Sequence, residues 1–479
     1  MASSHAWGAR SRRLGVLIVP IIALAWVIGL SGCGSSTTTT SSTGRGSSAT
    51  TSTVATTGGG SSTTANSSGS FALGMSQLPG GVPVFGTSFF NGPVAVGTVS
   101  GQKHLPAFWS VTSGSKWSIQ QIGTTERWPL SAFELNSQSI IGDRQLVVGQ
   151  NARDTQATTP EDSFAAVRIN GNPWVAVDMD SRVPAGNSIE LLALGATGDP
   201  TDINTFFIAV GGRVNGPPAA QYMSDDITGA VPISTITVNG ADWNPAVDLP
   251  LPAGVTSAEA TAVTYCGPGT PAPGVVVAGV GQVSDPALGT RTVAIVWRST
   301  DNGSTWKVIS DDSFSEPGKN VDAQFVAADN THIVVVGEDD VSAASSANSA
   351  AQRESLIWTL ASDGSWSLVG NQGSLAASES STMTALAPRL DGGFLLASQF
   401  YQTSAGPTLP GGDAGQKQTM VLSVSPDGKT WTDASSFVPD FAKSAIINGI
   451  AETGSVDVLT GMDVSGNGAA WTVERGSIT

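Results

Sequence analysis

An apolar run closing on glycine or serine recurs seven times in this 479-residue chain: VAVG at Gly97, LVVG at Gly149, FIAVG at Gly211, VVVAG at Gly279, IVVVG at Gly337, FLLAS at Ser398 and DVLTG at Gly461. The copies stand 52, 62, 68, 58, 61 and 63 residues apart, a spacing regular enough to be a period. A second landmark keeps the same step. Turn residues lead into tryptophan in SGSKW at Trp117, NGNPW at Trp174, NGADW at Trp243, DNGSTW at Trp306, SDGSW at Trp366 and DGKTW at Trp431. Asn-Gly and Asp-Gly favour the positive φ of tight hairpins, so each copy holds a hairpin whose second strand begins with a large aromatic. A further apolar stretch precedes each glycine-closed run, for example VDAQFVA before IVVVG. Four strands per copy, a to d, make one antiparallel sheet, and seven such sheets bury their faces only by stacking radially. The expectation is an all-β chain forming a seven-bladed β-propeller, with the hairpin tryptophans between blades.

The last copy has strands a, b and c, with Trp471 in GAAWTVERG, and then ends at Thr479. Its fourth strand is expected from Phe71–Leu78 (FALGMSQL), which would close the ring and remove two open sheet edges.

Ahead of the repeats lie two segments with no such pattern. Arg10, Arg12 and Arg13 precede an apolar run from Leu14 to Leu30, which ends in Leu30-Ser31-Gly32-Cys33. That order resembles a bacterial lipoprotein signal. The resemblance implies cleavage after residue 32, acylation of Cys33, and a protein anchored to the outer side of the cytoplasmic membrane. A transmembrane helix is the alternative, since 17 apolar residues lie at the short end of what spans a bilayer; Pro20 and the position of Cys33 favour the signal. Residues 34–70 contain 31 Ser, Thr or Gly in 37, a disordered tether with a coil length of roughly 30–40 Å. The domains are therefore 1–32, signal peptide; 33–70, lipidated cysteine and linker; and 71–479, propeller.

Residues 1–32 hold three Arg and no acid, so the mature chain has 19 basic and 38 acidic residues and a net charge of −19. Such a chain repels nucleic acid and anionic lipid head groups. Cys266 is the only other cysteine, read as a small buried hydrophobe, and His104 and His332 are too few for a histidine-rich metal site. No Gly-x-Ser-x-Gly, His-Glu-x-x-His or phosphate-binding glycine loop occurs. No cofactor or metal is expected, and a monomer is.

STDNGSTW, Ser299 to Trp306, matches Ser-x-Asp-x-Gly-x-Thr-Trp in full, and SPDGKTW, Ser425 to Trp431, matches with one residue fewer. Both resemble the Asp box, or bacterial neuraminidase repeat; Ser362–Trp366 is a degraded copy, and the other copies share only the turn and the tryptophan. The resemblance implies a structural role at the c-to-d turn for Ser299, Asp301, Gly303, Thr305 and Trp306, and for Ser425, Asp427, Gly428, Thr430 and Trp431. A calcium loop would need more oxygen ligands than Asp301 offers.

Antiparallel order puts c-to-d and a-to-b turns on one face and d-to-a and b-to-c loops on the other. The long connections are b to c: 150–162, 213–231, 280–291, 338–353 and 399–418. Function is expected on that face. It gathers Arg127, Trp128, Arg153, Arg182, Arg213, Tyr222, Arg353 and Tyr401, with acids at Asp178, Asp180, Glu338, Asp339 and Asp340. The three adjacent acids 338–340 read as a solvated loop, with a cation loop as the alternative. Sialidases, on a related scaffold, use three arginines, a tyrosine nucleophile beside a glutamate, and an aspartate acid, and Arg182-Val183-Pro184 resembles their Arg-x-Pro segment. That family has six blades and places the segment in the first. Two hypotheses follow: an envelope lipoprotein whose propeller binds a glycan, a peptide or an envelope protein, and an exo-acting sialidase-type hydrolase. They differ in whether three arginines converge near a tyrosine and a carboxylate.

Overall fold

The computed structural model describes residues 73–85, 94–99, 105–112, 116–121, 133–141, 144–151, 163–169, 172, 174–184, 187–196, 205–215, 227–286, 289–340, 353–361, 364–369, 381–402, 417–452 and 456–478. The expected signal peptide, Cys33 and the expected linker lie outside them. Twenty-eight strands form seven four-stranded antiparallel sheets, the blades of a propeller.

Blade one holds β2 (Gly81–Phe85), β3 (Val94–Val99), β4 (Leu105–Thr112) and β5 (Lys116–Gln121). Blade two holds β6 (Phe133–Ile141), β7 (Arg144–Asn151), β8 (Ser163–Ile169) and β9 (Val175–Asp178). Blade three holds β10 (Asn187–Ala196), β11 (Phe207–Asn215), β12 (Val231–Thr237) and β13 (Val247–Asp248). Blade four holds β14 (Val255–Cys266), β15 (Gly274–Asp285), β16 (Gly289–Ser299) and β17 (Lys307–Ile309). Blade five holds β18 (Val321–Ala328), β19 (Ile333–Asp340), β20 (Arg353–Leu360) and β21 (Trp366–Leu368). Blade six holds β22 (Ser381–Pro388), β23 (Phe394–Gln402), β24 (Lys417–Ser425) and β25 (Thr432–Asp433). Blade seven holds β26 (Ser444–Glu452), β27 (Val456–Asp463), β28 (Gly468–Glu474) and, from the other end of the chain, β1 (Gly74–Gln77). Gly74 pairs with Thr472 and Gln77 with Ala469, so the expected N-terminal strand completes the last blade. Because β28 ends on the c-to-d face, β1 starts there.

The recurring glycine has a cause that spacing alone does not reveal. In all seven blades the first strand carries a β-bulge, after Pro83, Leu135, Leu191, Ala260, Ala323, Met383 and Ile447, and the residue paired with each of these is the glycine or serine of the motif. The bulge turns a main-chain carbonyl toward the second strand. A Cβ on Gly337 would lie 1.9 Å from the carbonyl oxygen of Asp322, and one on Gly461 equally close to that of Ile446. The first strand of each blade also touches the first strand of the next, all the way round, so these bulges ring the central axis. Polar bulge residues couple neighbours: Asn136 Nδ2 donates to the Leu191 carbonyl, 2.9 Å, and Thr261 Oγ1 to the Ala323 carbonyl, 2.5 Å.

A second tryptophan set, in the third strands of blades one, four, five and seven, fixes each of these blades to the connection that precedes it. Trp109, Trp297, Trp358 and Trp471 are fully buried, and their indoles donate to the carbonyls of Pro79, Pro250, Ser313 and Asp440 at 2.9, 2.7, 3.3 and 3.2 Å. The hairpin tryptophans do pack between blades: Trp174 of blade two stands edge-on to Phe108 of blade one, and Trp306 donates to Ser234 of blade three. The expectation that a strand begins at each of them holds only in part. Trp243 makes a lone bridge with Thr237, and β13 starts four residues later, after Pro245.

Candidate functional site

The hairpin turns are self-contained. In the turn of blade four, Ser299 Oγ donates to Asp301 Oδ1 at 2.8 Å and accepts from Gly303 N at 2.7 Å. Asp301 also accepts from Thr305 N at 2.8 Å and from Thr305 Oγ1 at 2.6 Å, and Trp306 Nε1 donates to the Gly303 carbonyl at 3.1 Å. The hydrogen bonds from Thr305 and Ser299 hold the Asp301 carboxyl down at about 2. Asp427 likewise accepts from Thr430 N at 3.0 Å, and Trp431 donates to the Gly428 carbonyl at 3.1 Å. Blade three runs the same circuit with other residues. Asn239 takes the aspartate's place, accepting from Ala241 N at 2.9 Å and Asp242 N at 2.8 Å, while Thr237 Oγ1 accepts from Gly240 N at 2.9 Å. This turn therefore shares more than a tryptophan; the signal for it was Thr237-Val-Asn239-Gly240, which is SPDG with each polar residue exchanged for its nearest equivalent.

On the opposite face three sequence expectations change. The stretch 280–291 is not a loop: β15 continues to Asp285 and β16 resumes at Gly289, and Arg291 Nε lies 3.1 Å from Asp285 Oδ2 across the hairpin. Arg213, Arg353 and Tyr401 belong to strands β11, β20 and β23 rather than to loops. The run Glu338-Asp339-Asp340 is the end of β19, with Glu338 and Asp339 each 3% exposed, so it is not a solvated loop. Backbone pairing carries these hairpins further than composition indicated: Asp340 pairs with Arg353 and Gln402 with Lys417. The intervening 341–352 and 403–416, with 152–162 and 216–226, lie outside the described residues, as do Arg127, Trp128, Arg153, Tyr222 and the Tyr401 side chain.

Two of the remaining arginines are held by carboxylates. Arg213 grips Asp248 with Nε at 2.8 Å and Nη2 at 2.6 Å, and its Nη1 donates to Asn187 Oδ1 at 3.3 Å. The bidentate bond to Asp248 raises the guanidinium's already high pKa. Arg353 Nη1 donates to Glu338 Oε2 at 3.2 Å, while Glu338 Oε1 accepts from Met383 N of blade six at 3.1 Å. Burial, reinforced by the Asp322 carboxylate and opposed by Arg353, pushes Glu338 up to about 8. Arg182 ends a single 3-10 turn, Asp180–Arg182, between blades two and three, and its Nε is buried with no partner. Its carbonyl accepts from Ala246 N at 3.0 Å, which sets it beside the outer strand of blade three.

Sequence reasoning missed two acids whose carboxylate oxygens are buried without a partner. Glu259 of β14 has Oε1 buried without a partner, and burial raises it to about 7. Asp457 of β27 has neither oxygen partnered, and burial followed by the nearby Glu452 raises it to about 7. Among the described residues no group of three or more His, Cys, Asp or Glu is arranged to hold a metal ion, Cys266 is buried, and no helix is long and apolar enough to cross a membrane.

As a sequence the chain matches no protein-family model and no curated protein. As a fold it is similar to Trypanosoma rangeli sialidase in complex with sialic acid, at 12% identity and a TM-score of 0.44, over 82% of this chain and 60% of that one. It is also similar to the β-propeller domain of the Trilobed protease from Pyrococcus furiosus, at 9% identity and a TM-score of 0.42, over 81% of this chain and 92% of that one. A Dyadobacter fermentans protein aligns at 11% identity and a TM-score of 0.39, over 69% of this chain and 91% of that one. The matched span thus takes in about three fifths of the sialidase chain, and at these identities the likeness concerns the β-propeller fold alone.

Proposed function

We propose that this chain is an exported lipoprotein, anchored through Cys33 and the 33–70 tether, whose propeller is a binding scaffold for a glycan, a peptide or an envelope protein on the b-to-c face. The observation that carries this reading is the state of the arginines: Arg213 and Arg353, offered by the sequence as substrate clamps, are already engaged by Asp248 and Glu338. A guanidinium held bidentately by a protein carboxylate, as Arg213 is by Asp248, has little left for a ligand carboxylate, while Arg353 is tied to Glu338 by a single bond of 3.2 Å. The turns resembling Asp boxes serve as internal braces on this reading. Supporting it further, β1 follows the tether and starts on the c-to-d face, so an anchor there leaves the b-to-c face turned away from the membrane. The second reading, a sialidase-type hydrolase, is favoured by Arg182 alone, whose buried Nε has no partner.

The test is made on the full-length protein in a bacterial host. Metabolic palmitate labelling should mark the wild type and not Cys33→Ala. A photo-crosslinking residue at Thr290, on the b-to-c hairpin of blade four, should give adducts with envelope components that the same residue at Ser304, on the c-to-d face, does not. Label on Cys33→Ala would remove the anchor, and equal adducts at both positions would remove the scaffold face.

A further inference from the structure

The first strands of blades two to five carry an acid at one equivalent position: Glu134, Glu190, Glu259 and Asp322 each stand one residue before the residue paired with the motif glycine. These strands touch one another in turn around the axis, and the position lies toward their b-to-c ends. Asp322 is occupied within its own blade, accepting from Glu338 N at 2.8 Å and Gln324 Nε2 at 3.1 Å.

Glu259 is placed differently. It is 9% exposed, Oε1 is buried without a partner, and both Cγ and Oε1 lie 2.7 Å from where a Cβ on Gly212 would stand. Gly212 is the register partner of Glu190, so the carboxylate of blade four is aimed across the blade boundary at the acid-bearing position of blade three. Blades five and six carry Glu338 and Gln399 where blade three has Gly212, each following the motif glycine or serine. The missing side chain is what admits Glu259. A carboxylate oxygen buried with no donor is costly to keep, and an ammonium group brought by a ligand offsets that cost with up to three donors.

We propose that Glu259 is the anchoring group of a cation site at the b-to-c end of the ring of first strands, which takes a primary ammonium such as a lysine side chain of a basic peptide. A metal ion is the poorer fit, because no group of three ligating side chains surrounds the position among the described residues. The excess of acids in the full sequence, 38 against 22 basic residues, draws a basic peptide toward the ring from a distance. This inference rests on the scaffold reading above and names the chemistry of its ligand.

The probe is fluorescein-labelled hexalysine, followed by fluorescence anisotropy with the full-length protein in neutral detergent. Glu259→Gln, which keeps the shape and removes the charge, should weaken binding about tenfold, the scale of a lost charged hydrogen bond. Gly212→Ala changes no charge but puts a methyl where the carboxylate lies, and should weaken it by a similar factor. Glu474→Gln, an exposed acid on the far face, should change it by less than about twofold, since exposed charges contribute little. The site is overturned if Glu259→Gln and Gly212→Ala both bind like the wild type, if all three weaken alike, or if hexalysine does not bind the wild type. Palmitate labelling and the two crosslinking positions report on the scaffold reading independently, so success there with failure here removes the cation site alone.

Discussion

On the c-to-d face, Asp301 uses both carboxylate oxygens on the turn that carries it, reaching no more than four residues along the chain. On the b-to-c side, Glu338 reaches 15 residues along the chain to Arg353 and 45 residues, into the next blade, to Met383 N. The same functional group is therefore a local brace in one place and a long-range tie in the other. Its chemistry differs accordingly, held at about 2 in the exposed turn and pushed to about 8 in the buried rim. A self-satisfied turn leaves nothing for a ligand, whereas a buried rim of acids, partly unpartnered, keeps its capacity to respond.

The largest expected effect breaks the rim itself. Gly337→Ala puts a Cβ 1.9 Å from the Asp322 carbonyl oxygen, a main-chain atom that yields only if the bulge does. A loss of at least ~3 kcal/mol in chemical denaturation is expected, or no folded protein. Gly318→Ala is the control: φ is +81° with nothing within 4 Å, so the cost should stay near ~1 kcal/mol. Next comes Trp297→Phe, which keeps one aromatic ring but loses the indole N–H and orphans the Pro250 carbonyl on the b-to-c side; ~1–3 kcal/mol is expected, read as a shifted denaturation midpoint.

Titration sharpens the contrast because the two acids act in opposite directions. Asp301 has a lowered folded-state pKa, so its contribution is present above the ordinary value of 3.8 and is lost as pH falls through about 2. Glu338 has a raised one, so the folded state is favoured below 4.5 and loses that advantage as pH rises through about 8. Midpoints measured against pH should show Asp301→Asn flattening the acid limb and Glu338→Gln the neutral-to-alkaline limb. Exchange of the two limbs would mean that the environments are misassigned. The smallest effect belongs to Asn302→Gly, which relieves a φ of +60° that asparagine tolerates; under ~1 kcal/mol of stabilisation is expected.

Much of the fold was legible because the repeat states it. Seven glycine- or serine-closed runs gave seven blades, and Phe71–Leu78 was readable as the closing strand since the last copy lacked one. The reason for the glycine was not readable: a bulge sits on the other strand of the pair, and only register shows that its carbonyl fills the space of a Cβ. The buried third-strand tryptophans were legible in principle, as FWS, VWR, IWT and AWT eight or nine residues before the hairpin tryptophan in three of four copies. The candidate site was legible least. Whether Arg213 is free or bound depends on Asp248, 35 residues away on a strand of two residues, and no local pattern connects them. The partnerless acids Glu259 and Asp457 sit in ordinary strand sequence, and burial is visible only once the blades stack.

Whether Arg213 and Arg353 brace the scaffold or hold a substrate is decided by incubating the full-length protein with a fluorogenic α-sialoside across a range of pH. No reporter release above a heat-denatured control is expected from a sample that unfolds cooperatively. Release that disappears in Arg182→Ala and in Tyr401→Phe would overturn the bracing role and make the b-to-c face a hydrolase site.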